Sequence, residues 1–110
     1  MQPEISSHEV HSRLKNQQPC TLLDVRTKEE FDRAHIQGAL FLPLDEISQL
    51  SLTKLGLEKN QEIIVYCLSG PRGFDAAKIL ANLGYTNVKN MTSGLLAWRA
   101  NGYSFLVSGQ

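Results

Sequence analysis

Hydrophobic and polar positions along this chain switch repeatedly between a helical and an extended rhythm. Val10 and Leu14 fall four apart behind Ser6-x-x-Glu9, a capping-box pattern, which predicts a first helix over residues 7–16, ended by Pro19. Thr21-Leu22-Leu23-Asp24-Val25 is short, apolar and β-branched at its ends, as a buried strand would be. Thr27-Lys28-Glu29-Glu30 is a second capping box and opens a short helix carrying Phe31, broken by Gly38. Residues 39–42 form a brief strand stopped by Pro43. The stretch 44–60 has weaker rhythm: a helical turn over 45–50, then a polar approach punctuated by Gly56. Ile63-Ile64-Val65-Tyr66 is the next strand. Ala76, Ala77, Leu80 and Leu83 then mark a helix over 73–83, with Gly84 as its natural terminator. A short strand over 87–90 and a helix over 94–101 through Leu95, Leu96 and Trp98 complete the pattern, closed by Gly102. Strands alternating with helices give an α/β fold with a mainly parallel central sheet covered on both faces. In such folds the working site lies beyond the carboxyl ends of the strands. Cys67 stands there.

Size and charge narrow the function. With 110 residues there is room for one domain, its core over about residues 4–102. The tail, residues 103–110, contains Tyr103-Ser104-Phe105-Leu106-Val107, unexpectedly apolar for a terminus; it packs back on the domain or meets a second subunit. Eleven basic residues balance eleven acidic ones with no like-charge block, so nothing favours nucleic acid or an anionic membrane surface. No apolar run approaches the roughly 20 residues that span a bilayer, and the start, MQPEISSHEV, lacks an export pattern. The cytoplasm is the expected compartment. Cys20 and Cys67 form no C-x-x-C pair, and His8, His11 and His35 are scattered, so neither a structural disulfide nor a metal site is expected. His8 and His11 are expected to face solvent.

The junction after the third strand carries the chemistry. Cys67, Leu68, Ser69, Gly70, Pro71 and Arg72 link a strand to a helix start, where backbone N–H groups converge and stabilise negative charge. A thiol held there should ionise more easily, and the thiolate is the nucleophile. Curling around the sulfur would aim several amides inward, and Gly70 permits the close backbone this needs. Pro71 removes one N–H while stiffening the curve, which leaves four expected donors. Arg72 near a helix N-terminus opposes the dipole, a placement that makes sense if its guanidinium meets an anionic donor. The alternative is a buried small hydrophobe beside an ordinary Gly-Pro turn.

With these residues in view, the chain resembles the single-domain rhodaneses, a family of sulfurtransferases, over nearly its whole length. Asp24-Val25-Arg26 with Glu29-Glu30-Phe31 is similar to that family's first-strand signature, and His35-Ile36-Gln37-Gly38-Ala39 to its next motif. Ile64-Val65-Tyr66-Cys67 with Gly70 and Arg72 matches its C-x-x-G-x-R loop, and Ser93-Gly94 through Trp98 resembles its terminal Gly-Gly…Trp element. Two positions depart from the pattern. Gly73 stands where a hydroxyl residue is common, weakening one substrate contact, and Ser93 replaces a glycine in a backbone turn. The resemblance implies a single rhodanese-like domain whose sheet has about five strands. It also implies a double displacement in which Cys67 takes a sulfur from a donor such as thiosulfate and passes it, as a persulfide, to cyanide or a thiol. Leu68, Ser69, Gly70, Arg72 and Gly73 would bind substrate, and Asp24, Arg26, Glu30 and His35 would support the site. No metal or organic cofactor is implied.

Other readings stay open at this point. Cysteine-dependent phosphatases and arsenate reductases share nucleophile, amide cradle and arginine, but with five residues between Cys and Arg where this chain has four. Asp75, one helical turn on, is the nearest candidate acid for that chemistry. A third reading is a persulfide carrier or binding module that works through a protein persulfide partner. Ser69 could donate to the sulfur. Glu30 is a candidate partner for Arg26, and His35 is expected to be a turn residue bonded to backbone rather than an acid or base. Cys20 could be a resolving thiol, or an ordinary partly buried residue. Trp98 is expected in the core with its N–H on an acceptor.

Overall fold

The computed structural model describes residues 3–107. Four-residue strand β5 (Ile63–Tyr66) is fully buried, as its unbroken apolar run requires. It pairs in parallel with β2 (Leu22–Asp24) on one side and β6 (Val88–Met91) on the other, in registers Leu22↔Ile64 and Ile63↔Val88. Outside these lie β4 (Leu40–Phe41) against β2 and β1 (Glu4–Ile5) against β6, both parallel. The result is a five-stranded parallel sheet in the order β1-β6-β5-β2-β4 within a single α/β unit, as the sequence pattern and the family resemblance led one to expect.

Side-chain alternation along β5 divides the core in two. Ile63 and Val65 join Leu23, Val25, Leu52, Ala76, Ala77 and Leu80 beneath helices α3 (Gln49–Lys54) and α4 (Pro71–Asn82). Ile64 and Tyr66 join Val10, Met91, Leu95 and Trp98 beneath α1 (Ser7–Lys15) and α5 (Gly94–Ala100). The remaining helix, α2 (Lys28–Arg33), buries no residue and leads from β2 towards the sheet edge.

Several local expectations change. Helix α4 starts two residues early because Pro71 is at home in a first turn, where its missing N–H costs nothing. The weak stretch 44–60 holds a 3-10 turn (Leu44–Glu46) and all of α3, whose cap is Ser48 and Ser51 rather than an acidic box. Only half of the Ser6 box forms: Ser6 Oγ accepts from Glu9 N–H, while the Glu9 carboxylate turns to Arg13. His11 is not simply solvent-facing; its ring stacks on Tyr103 at 3.7 Å and meets the edge of Trp98. Trp98 is buried and donates its indole N–H to the Ser104 carbonyl at 2.9 Å.

The tail folds back. β7 (Leu106–Val107) pairs antiparallel with β3 (Ala34–His35), a two-stranded ribbon absent from the pattern reading, and Tyr103 and Phe105 pack on the α1/α5 side of the core. Residues 108–110 lie outside the described residues. No helix among the described residues is long and apolar enough to cross a membrane.

Candidate active site

The end of β5 delivers Cys67 to the α3/α4 side of the sheet, continuing the alternation of Ile63 and Val65. The residue is 1 % exposed, so the thiol sits beneath its loop rather than on it. Gly70 turns the chain at φ +128°, a conformation that side chains rarely adopt, and thereby points its N–H at Cys67 Sγ, 3.0 Å away. The nest is smaller than expected. Among the described residues Gly70 alone donates to the sulfur, while the amides of Ser69, Arg72 and Gly73 meet no protein acceptor. The Ser69 side chain is exposed and makes no bond to the sulfur.

Behind the loop, α5 holds the two carbonyls that point away from the nest. Leu95 N–H donates to the Cys67 carbonyl and Leu96 N–H to that of Leu68, each at 2.9 Å. This approach is possible because residue 94 is glycine at φ +52°; a Cβ there would collide with both carbonyls. Ser93, one residue earlier, is itself left-handed at φ 57°, which is the strain its departure from the Gly-Gly pattern introduces.

The charges around the loop pair differently from the sequence expectation. Arg72 sends two nitrogens to the two oxygens of Glu30, at 2.6 and 3.0 Å. That hydrogen bonding, above all, holds the Glu30 carboxyl down at about 2, and the Thr27 backbone N–H of the α2 capping box adds to it. Glu30 is therefore not the partner of Arg26. Arg26 instead clasps Asp24, two residues away on the same side of an extended backbone, at 2.6 Å for its closest contact, and donates to the Ala34 carbonyl at 2.5 Å. Burial alone would pull this guanidinium down; hydrogen bonding and charge from Asp24 leave it raised. His35 Nδ1 donates to the Phe31 carbonyl at 2.8 Å, with its ring stacked on Phe31.

Asn90 was not singled out by sequence. This β6 residue is buried, and its Nδ2 donates to the Gly70 carbonyl at 3.2 Å and to Glu4 Oε2 at 3.1 Å. Its Oδ1 has no hydrogen-bond partner and fills the space where a side chain on residue 73 would project. Gly73 thus faces Asn90. An asparagine two residues beyond Val88 in a short strand was the available signal, but only the fold shows what it touches. Gly94 was legible as part of a motif, not as a site of close approach.

Two clefts flank the loop. One, of about 240 Å³, is lined by Val25, Thr27, Pro43, Leu44 and Arg72; the other, of about 280 Å³, by Glu30, Arg33, Leu68, Leu95, Leu96 and Arg99. Arg26 borders both, and the Glu30–Arg72 pair stands between them. Cys67 itself lines neither. Cys20 sits beside Gln61 and Glu62, before the start of β5, at the opposite end of the sheet from Cys67. The described residues contain no cluster of three metal-ligating side chains.

Comparison with known proteins gives a family match and relatives of similar sequence and fold. Residues 6–101 match the family described as Rhodanese-like domain. A sulfurtransferase of Allochromatium vinosum is 32 % identical over 99 residues, covering 90 % of each chain. The thiosulfate sulfurtransferase PspE of Escherichia coli is 38 % identical over 68 residues, which is 62 % of this chain and 64 % of that protein. Among solved structures, the Alr3790 protein of Anabaena superimposes with a TM-score of 0.85 at 29 % identity, over 96 % of this chain and 81 % of its own.

Proposed function

From the premise that this chain belongs to the rhodanese-like domain family, we propose that it is a sulfurtransferase working through a persulfide on Cys67. The observation that carries this reading is the Gly70 N–H aimed at Cys67 Sγ at the strand–helix junction. A donor there serves any anion that forms on the sulfur, thiolate or persulfide alike.

The reaction is two displacements. Cys67 thiolate attacks the outer sulfur of thiosulfate; the S–S bond breaks, sulfite leaves with the bonding pair, and Cys67 carries the sulfane sulfur. A thiophile then attacks that outer sulfur, and Cys67 leaves as thiolate. The amides of Ser69, Arg72 and Gly73, uncommitted to protein acceptors, are the further donors a longer anion would use. For Arg72 to meet a donor's oxyanion, that anion must displace Glu30. The four residues between Cys67 and Arg72, one fewer than in the cysteine-dependent phosphatases, weigh against phosphatase chemistry. Asp24, Arg26 and His35 act as support, holding β2 and α2 in place around the loop.

The burial of Cys67 favours a second reading, a carrier loaded by a protein persulfide whose docking opens the loop. The deciding experiment treats folded, reduced protein with thiosulfate and weighs the Cys67 peptide. One added sulfur, with thiocyanate formed on adding cyanide and both lost in Cys67→Ser, supports the enzyme. An unmodified mass with thiosulfate sinks it, and loading only from a protein persulfide establishes the carrier.

A further inference from the structure

Gly70 is the part of the loop that touches the sulfur, and it is held at both ends. Its N–H reaches Cys67 Sγ at 3.0 Å, while its carbonyl accepts from Phe74 N–H at 2.9 Å and from Asn90 Nδ2 at 3.2 Å. The bond from Phe74 belongs to α4 and moves with that helix. The bond from Asn90 comes from β6, which lies between β1 and β5 in the sheet. Among the described residues it is the one hydrogen bond that ties Gly70 to a strand. At φ +128° Gly70 occupies one of the many conformations open to glycine, and no side chain of its own keeps it there.

Asn90 supplies that hold at a cost. Its Nδ2 is fixed in direction by two acceptors, the Gly70 carbonyl and Glu4 Oε2 at 3.1 Å. Turning the amide over would set Oδ1 against both oxygens. Oδ1 is therefore left against Gly73 with no partner. The residue is 2 % exposed, and an unpaired acceptor at that depth lowers stability. A leucine of similar shape would fill the place without the penalty, and buried polar groups retained against stability mark sites where the fold serves something else. We infer that Asn90 is a positioning residue for sulfur transfer: it anchors the Gly70 carbonyl to the sheet, so that the Gly70 N–H stays aimed at Cys67 Sγ. The inference rests on the sulfur-transfer reading and adds a residue to it. The aim matters most as the persulfide is discharged. Cyanide bonds to the outer sulfur, the S–S bond breaks, and its electron pair stays on Cys67 Sγ as thiocyanate departs. A donor already in place meets that charge without reorganising, whereas one free to swing does not.

Single-turnover discharge separates positioning from support of the fold. Protein is loaded from thiosulfate, or from inorganic polysulfide if thiosulfate fails, and the sulfur on the Cys67 peptide is weighed at the plateau. Cyanide is then added and thiocyanate followed. In Asn90→Leu the plateau should equal the parent's and the denaturation midpoint should not fall. The discharge rate constant should drop about tenfold, roughly the factor one hydrogen bond to a charged group is worth. Asn90→Ala, which opens a space instead of filling one, should discharge as slowly whatever its stability. A rate constant within twofold of the parent, or above it, in either variant overturns the inference. So does a lower plateau discharged at the parent rate, for then Asn90 serves the fold alone, and failure of both variants to fold means the same. If the parent takes no sulfur by either route, the sulfur-transfer reading falls and this inference with it.

Discussion

Arg72 and Glu30 face each other across the mouth of the Cys67 loop, fork to fork, joined by hydrogen bonds of 2.6 and 3.0 Å. The protein thus keeps its own carboxylate on the one arginine of the loop. An anionic donor that uses Arg72 has to compete with a tethered rival whose effective concentration is high. Replacing that rival by a neutral isostere should help the donor. Glu30→Gln is expected to lower the KM for thiosulfate several-fold, with a smaller effect on an uncharged donor. Steady-state kinetics with both donors tests this, and an unchanged or raised KM for thiosulfate would show that Arg72 is purely structural.

The same pair makes stability depend on pH in a defined window. The Glu30 carboxyl is held near 2, below its ordinary value of 4.5, chiefly by the hydrogen bond from Arg72. A depressed carboxyl stabilises the folded state above its unfolded pKa, and the contribution disappears as pH falls through the folded value. Parent and Glu30→Gln proteins should therefore differ most at pH 5 and above, and converge between about 4.5 and about 2. Denaturant melts across that range measure the convergence. Glutamine retains an oxygen for the Thr27 cap, so the comparison reads the pairing with Arg72 rather than the cap.

Gly73 and Asn90 should behave as one unit. A Cβ on residue 73 collides with the buried Asn90 amide, so Gly73→Ala is expected to cost about 1–3 kcal/mol by overpacking. Combining it with Asn90→Ala makes room, and the pair should lose less than the sum of the singles. A double-mutant cycle by chemical denaturation reads the coupling directly. Strict additivity would mean that the Asn90 side chain moves aside freely.

Ser93 sits in the left-handed region at φ 57°, where an L-residue is strained by about 1–2 kcal/mol. Ser93→Gly relieves this but frees the unfolded chain by an amount of the same order, about 0.5–1 kcal/mol. The expected net gain is up to about 1 kcal/mol, seen as a raised Tm. A lowered Tm would show that the serine is held by contacts worth more than its strain.

The sequence pattern was most informative where one physical effect dominates. An unbroken apolar run could only be an interior strand, and β5 matches residues 63–66 throughout. Helix α4 and its closing glycine followed from spacing alone. Elements held by tertiary pairing were invisible: two-residue strands such as β1, β3 and β7 exist because a neighbour supplies hydrogen bonds, not because Glu4–Ile5 or Ala34–His35 prefer extension. The site shows the same division. Cys67, Gly70 and Arg72 stood out because their chemistry is tied to a local turn. The partners of Arg26 and Arg72 did not, because four charges that lie near one another in space can pair in more than one way. Asn90 lies 20 residues beyond Gly70 and meets it only through the β5–β6 register.

The β2–β5 register bears on oxidative damage. Cys20 lies level with Glu62, five positions before Cys67, so ~16 Å of strand separates the sulfurs, well beyond what a disulfide can bridge. A sulfenic acid on Cys67 would find no second thiol within the fold to condense with, and rescue must come from outside before over-oxidation. Peroxide should consequently yield a mixed disulfide with added thiol, in Cys20→Ala as in the parent, and never an internal cross-link. The molecule protects its sulfur by covering it, not by pairing it.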